Sequence, residues 1–182
     1  PDGEIFVADR HNHRIQVFDA NGNFLRKFGS QGNLEGQFNQ PIDLDFDDNG
    51  NLIVLSHGNN RVIYLNPAGQ YLRHWSCSGG SQYLRDLNNG LVGIAWSHYV
   101  AVYEHTGTRL KYWNKGSGTP SPFTSLPDGT LAIADRGNDK LRFYRPTFRT
   151  VRTDTSKDIP FPEVISVTQR AGTNYLDITY RV

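Results

Sequence analysis

Asp2-Gly3-Glu4-Ile5-Phe6-Val7-Ala8-Asp9-Arg10-His11-Asn12-His13-Arg14-Ile15-Gln16-Val17-Phe18 decides the fold, because the chain repeats it. The same text returns as Asn49-Gly50-Asn51-Leu52-Ile53-Val54-Leu55-Ser56-His57-Gly58-Asn59-Asn60-Arg61-Val62-Ile63-Tyr64-Leu65, with Gly3 on Gly50, Asn12 on Asn59 and Arg14 on Arg61. A further copy is Asp128-Gly129-Thr130-Leu131-Ala132-Ile133-Ala134-Asp135-Arg136-Gly137-Asn138-Asp139-Lys140-Leu141-Arg142-Phe143-Tyr144. The gap from Gly50 to Gly129 holds two periods of about 40 residues, so a degenerate unit lies between them. Asp-Gly and Asn-Gly between β-branched and aromatic runs are hairpin signals. No stretch has a sustained helical period, and Pro41-Ile42-Asp43-Leu44-Asp45-Phe46-Asp47 alternates as a strand.

Four antiparallel strands per repeat, repeated radially, are the pattern of a β-propeller blade. The expected fold is therefore all-β, a partial propeller of four-stranded blades over residues 1–152, with units at 1–29, 41–75, 90–114 and 122–152. Within the third unit, Gly90–Trp96 and Tyr99–Tyr103 read as the two inner strands. Glu104-His105-Thr106-Gly107 reads as replacing the Asp-x-x-Asn-x-Arg loop, which predicts a shortened blade. Residues 153–162 read as a Pro-stiffened linker, and residues 163–182 as a hairpin that opens a β-sandwich-like module.

Composition narrows the classes. Lys and Arg number 19 against 18 Asp and Glu, a formal net charge of +1, which lacks the basic footprint of a dedicated nucleic-acid binder. The one cysteine excludes an intrachain disulfide and a Cys-based zinc cluster. No apolar run reaches the ~18 residues of a membrane-spanning helix. The absence of methionine and a first unit that starts at its second strand lead us to expect a piece of a longer chain, prone to self-association through an open propeller edge.

The run from Val7 to Phe18 resembles the NHL repeat, named for an Asn-His-Leu sequence at the position of Asn12-His13-Arg14. The glycine-spaced stretch Gly29–Pro41 is similar to the family's connection between blades, and the likeness covers about residues 1–75 and 123–145. The resemblance implies a propeller of bacterial type, commonly six-bladed, while the tail looks like the first strands of an immunoglobulin- or fibronectin-like module. It further implies a non-catalytic binding or scaffold module that engages a protein or glycan through the loops of one face. The rim candidates are Arg10, His11, His13, Phe38, His57, Tyr83 and Arg136, on the blade loops and the long linkers 30–40 and 76–90. Repeats joined to sandwich modules suit a secreted, periplasmic or cell-surface protein.

Asp9, Asn12, Arg14, Asn59, Arg61, Asp135 and Asn138 belong to the loop that the good copies share. Asp and Asn side chains serve backbone groups of turns, so these read as structural, with Arg14, Arg61 and Lys140 reaching back to carboxylates. The competing class is a metal-dependent lyase or lactone hydrolase, since a propeller lyase of this type holds zinc by converging histidines. His11, His13 and His57 sit on loops of two adjacent blades, short of a closed ligand set, and Asp43, Asp45, Asp47 and Asp48 offer calcium a face that a wet channel explains as well. We expect no catalytic residue and no bound cofactor. RNA binding through Lys140, Arg142, Arg145, Arg149 and Arg152 with their interleaved aromatics is the third reading, with a solvated outer face preferred.

Overall fold

The apolar runs bounded by Asp-Gly and Asn-Gly become strands in a computed structural model, which describes residues 3–88, 90–114, 122–126, 130–135, 140–144, 163–169 and 176–181. The first blade holds β1 (Ile5–Asp9), β2 (Arg14–Phe18) and β3 (Phe24–Phe28), paired in that order. The second is a complete four-stranded sheet of β4 (Pro41–Phe46), β5 (Leu52–Ser56), β6 (Arg61–Leu65) and β7 (Tyr71–Ser76). The third is equally complete, with β8 (Tyr83–Asp86), β9 (Leu91–Ala95), β10 (Tyr99–Glu104) and β11 (Arg109–Asn114). A fourth sheet has β12 (Phe123–Ser125), β13 (Leu131–Asp135) and β14 (Lys140–Tyr144), and β15 (Glu163–Gln169) pairs with β16 (Leu176–Arg181) as a separate hairpin. Neighbouring strands in every sheet are antiparallel. The fold is an all-β partial propeller, and the hairpin falls where the tail pattern placed it.

Why the strand sequences look as they do follows from blade stacking. A strand in the middle of a blade is covered on both sides by neighbouring blades, so β5 and β9 are buried along their whole length and read as continuous apolar runs. Alternate residues then serve different interfaces. Leu52 and Val54 pack with Phe6, Ala8, Ile15 and Phe28 of the first blade. Ile53 and Leu55 face the third blade and meet Leu84, Val92 and Ile94. Beyond them, Leu91, Ala95, Val100 and Val102 pack with Phe123, Leu131 and Ile133 of the fourth sheet. On the other side of β1, Ile5 and Val7 are 48% and 40% exposed, where their repeat equivalents Leu52 and Val54 are sealed by a neighbour.

The turns repeat as faithfully as the cores. Asp19 Oδ1 accepts the backbone N–H groups of Asn21 and Asn23, and Asp47 Oδ1 accepts those of Asn49 and Asn51. Gly22 and Gly50 complete these turns at φ of 84° and 76°, a left-handed backbone that glycine adopts without a Cβ penalty. The outermost strand of each of the first three blades carries a one-residue β-bulge, at Leu25, Leu72 and Leu110. These leucines are 42% to 48% exposed, and a bulged edge is a poor template for pairing with a further strand.

The third blade departs from the expectation of a shortened unit. Its innermost strand is β8, inside the stretch read as the linker 76–90, so the true connection is residues 77–82, and at the opposite end Leu87 N–H bonds Leu91 O at 3.0 Å where β8 returns into β9. Leu91–Ala95 and Tyr99–Glu104 are the second and third strands rather than the two inner ones. Glu104–Thr108 is consequently the turn to the outer strand: Gly107 N–H meets Glu104 O at 2.9 Å, as Gly22 N–H meets Asp19 O at 3.0 Å. The second-to-third-strand loop here is Trp96-Ser97-His98-Tyr99.

A candidate binding rim

In an antiparallel blade the second-to-third-strand loop and the connection to the next blade emerge at the same end. Residues 10–13, 57–60 and 96–99 therefore share one rim with the connections 29–40 and 77–82. In the first two blades the loop is one 3-10 turn closed by a left-handed residue, His13 or Asn60, each at φ 54°.

Hydrogen bonds join these segments from blade to blade, with Gln40 at the junction. Its backbone N–H donates to His13 Nδ1 at 3.1 Å, its carbonyl accepts His57 N–H at 3.1 Å, and its Oε1 accepts Arg10 Nη2–H at 3.2 Å. His57 in turn donates Nδ1–H to the Ser81 carbonyl at 2.9 Å, the Asn60 carbonyl accepts Cys77 N–H, and Trp96 Nε1–H reaches Ser78 O at 3.1 Å. Three blades are thereby tied into one surface. The imidazoles of His13 and His57 each spend a nitrogen on backbone. Among the described residues no group of three or more His, Cys, Asp or Glu is placed to hold a metal ion.

Asp9 shows the repeat signature at work. Its carboxylate accepts Asn12 Nδ2–H at 2.9 Å, Arg14 Nε–H at 2.8 Å and Gln16 Nε2–H at 2.9 Å. The Arg14 guanidinium, helped by Asn12, holds this carboxyl below its ordinary pKa. In the second blade Ser56 replaces the aspartate, and the expectation that Arg61 reaches a carboxylate is corrected. Arg61 Nη1–H goes to the Asn33 carbonyl at 2.6 Å, and Asn59 Nδ2–H goes to Asn33 Oδ1 at 3.1 Å. Asp135 and Lys140 are paired across β13 and β14 like Asp9 and Arg14, while Arg136 and Asn138 lie outside the described residues.

Two of the rim candidates are not rim side chains. Phe38 is fully buried, because residues 30–38 fold back on themselves: Phe38 N–H bonds Ser30 O at 2.9 Å, Gly32 N–H bonds Phe38 O at 3.0 Å, and the ring drops beside Gly29 into the core between the first two blades. Tyr83 opens β8 and is half-buried against the core between the third and fourth sheets. Arg10 and His11 are exposed, and His13 and His57 are half-buried. Sequence reasoning missed Gln40, the exposed His98 and the exposed Leu34. The first had a readable sign in its place directly before Pro41, where the chain enters an inner strand.

The acidic face of β4 is structural. Asp43 Oδ2 accepts Leu84 N–H at 2.7 Å, and Asp45 Oδ2 accepts Asp86 N–H at 2.9 Å, so the two carboxylates stitch the inner strands of adjacent blades. Burial pushes the Asp43 carboxyl up, against the opposing pull of Leu84 N–H and Arg85. Asp47 lies past the end of β4, buried in its turn. At that opposite rim His105 Nε2 is 2.9 Å from Asp86 Oδ1, a contact the sequence did not suggest.

The repeats and the blades define a partial β-propeller whose repeats are similar to the NHL type. Residues 1–77 match the family described as a 6-bladed beta-propeller. Protein brain tumor of Drosophila melanogaster is 35% identical over 77 residues, 41% of this chain and 7% of that protein. The E3 ubiquitin-protein ligase TRIM32 of Mus musculus is 27% identical over 138 residues, 65% of this chain and 21% of that protein. The chain thus spans 7% and 21% of the lengths of these two relatives. Among solved structures, a protein of unknown function from Bacteroides caccae has a TM-score of 0.57 at 22% identity, over 80% of this chain and 60% of the other. The virginiamycin B lyase of Staphylococcus aureus, in an inactive variant with quinupristin, has a TM-score of 0.60 at 11% identity over 83% and 55%. At these identities the likeness is one of fold. No helix among the described residues is long and apolar enough to cross a membrane.

Proposed function

We propose that the chain is a non-catalytic binding module that takes a protein partner on the rim formed by residues 10–13, 57–60 and 96–99 and their connections, working without a cofactor outside the cytoplasm. The observation that carries this reading is the junction at Gln40, which ties loops of adjacent blades into one pre-formed surface. A surface already ordered loses little conformational freedom on binding. On the opposite rim, Asp19 and Asp47 spend their carboxylates on the backbone of their own turns.

Two sets of variants test the proposal in partner capture. Arg10→Glu, His11→Ala and His98→Ala alter the rim, and Asn21→Ala and Thr106→Ala alter the opposite turns. Loss confined to the first set supports the reading. Equal loss in both sets, or stoichiometric zinc or calcium in the purified chain together with turnover of a substrate, overturns it.

A further inference from the structure

Leu34 is the most exposed large hydrophobic side chain among the described residues, at 74%. It stands at the tip of a loop held at every level. Phe38 anchors the base in the core, Gln37 Oε1 accepts Leu34 N–H at 3.0 Å, Gln37 N–H returns to Leu34 O at 3.1 Å, and Arg61 and Asn59 grip Asn33 from the second blade. A lone surface leucine needs no explanation. A leucine at the tip of a loop tied down by five or more polar groups presents a fixed apolar contact, the form in which binding energy is concentrated.

The rim around it is mainly basic, with Glu35 beside it as the exception. Residues 10–14, 29–40, 57–61, 77–82 and 96–99 contain Arg10, Arg14, Arg61 and four histidines against one acid, Glu35, although Arg14 is paired with Asp9 and Arg61 is engaged by the Asn33 carbonyl, which leaves Arg10 as the cation best placed for a partner. The turns of the opposite rim, 19–23, 47–51, 66–70 and 104–108, contain Asp19, Asp47, Asp48 and Glu104 and no Lys or Arg. A near-neutral chain is therefore polarised between its two rims. Stacking of one copy's acidic rim on another's basic rim is disfavoured because Asp19 and Asp47 are already spent on turn N–H groups and Asp47 is buried. A nucleic acid is disfavoured because the rim aromatics among the described residues are covered: Phe38 and Trp96 are buried, Tyr83 and Tyr99 are half-buried with Tyr99 stacked on Trp96, and the exposed Phe24 and Tyr112 stand on outer strands.

We propose that the partner is an acidic polypeptide segment carrying an apolar side chain, which packs on Leu34 while its carboxylates meet Arg10 and the histidines of the rim. This rests on the rim reading above and names the chemistry of its ligand. Arg10 is exposed and gives Nη2–H to Gln40, which holds its guanidinium over the junction.

The test is fluorescence anisotropy on the full chain with three labelled probes: a peptide of alternating Glu and Leu, its Lys-for-Glu counterpart, and an oligouridylate. The Glu-Leu peptide is expected to bind and the Lys peptide to fail. Arg10→Glu should weaken the first about tenfold by placing like charges together. Leu34→Ala should weaken it about three- to tenfold through lost apolar contact. Both side chains are exposed, so unchanged melting curves will show that the fold is intact. Wild-type affinity in both variants, or tightest binding of the oligouridylate, overturns the acidic-partner assignment while leaving the rim reading standing. Loss of peptide binding in Asn21→Ala or Thr106→Ala, with the rim variants unaffected, overturns the rim reading itself.

Discussion

His105 Nε2 lies 2.9 Å from Asp86 Oδ1 and 3.1 Å from the Leu91 carbonyl, joining the outer turn of the third blade to the end of its innermost strand. Both side chains are largely buried, at 13% and 6% exposure, beneath the ring of Tyr64. Burial disfavours the charged imidazole, but the Asp86 carboxylate and the Leu91 carbonyl outweigh it and raise the His105 pKa.

A raised folded-state pKa gives stability that is complete below the unfolded value of about 6.5 and is lost as pH rises through the higher folded value. Thermal melts of the wild type should therefore fall across that window, and those of His105→Gln should fall less. Equal slopes in the two proteins would remove His105 as the source.

Asp43 is the carboxylate that meets the inner strand of the next blade. Asp43→Ala leaves the Leu84 N–H without its acceptor and should cost about 1–3 kcal/mol in denaturant unfolding. Asp43→Asn retains an amide oxygen that can accept the same N–H, so its cost should be clearly smaller. If calcium stabilised the wild type and not the alanine variant, the carboxylate would be a cation ligand and the stitching role would be wrong.

Phe38 and Leu34 are four residues apart on one loop and should behave oppositely. Phe38→Ala empties a buried ring position and should cost about 3–5 kcal/mol. Leu34→Ala should stay within about 0.5 kcal/mol of wild type. Gly29→Ala adds a Cβ 2.4 Å from the Phe38 ring at φ 93° and should cost at least about 1 kcal/mol.

Ile5 and Val7 are exposed where their equivalents Leu52 and Val54 are sealed. The double change Ile5→Thr and Val7→Thr should lower self-association in sedimentation velocity without lowering the melting temperature. Undiminished association would place the sticky surface elsewhere.

Much of this molecule was legible because blades repeat their chemistry. Gly22 and Gly50 mark turns whose Asp and Asn neighbours make the same bonds, so the strand boundaries of the first two blades follow from residue types alone. The third blade was harder. Tyr83–Asp86 is four residues with Arg85 and Asp86 in it, too short and too polar to look like a strand, and what holds it is Asp43 and Asp45 from another blade. Missing β8 displaced the register of the third blade, which hid His98 as a rim residue. Phe38 looked exposed because its neighbours are polar; the loop's own closure turns it inward. The rim junction escaped notice because Gln40 acts mostly through its backbone, which a side-chain pattern does not display.

The most direct test of the central claim is site-specific photo-crosslinking in the full-length protein, with the probe at His11 or His98 on the basic rim and at Asn21 or Thr106 on the opposite one. The account predicts discrete crosslinked partner bands from the first pair of positions and none from the second. Crosslinks of equal yield from both rims, or only from Asn21 and Thr106, would contradict it.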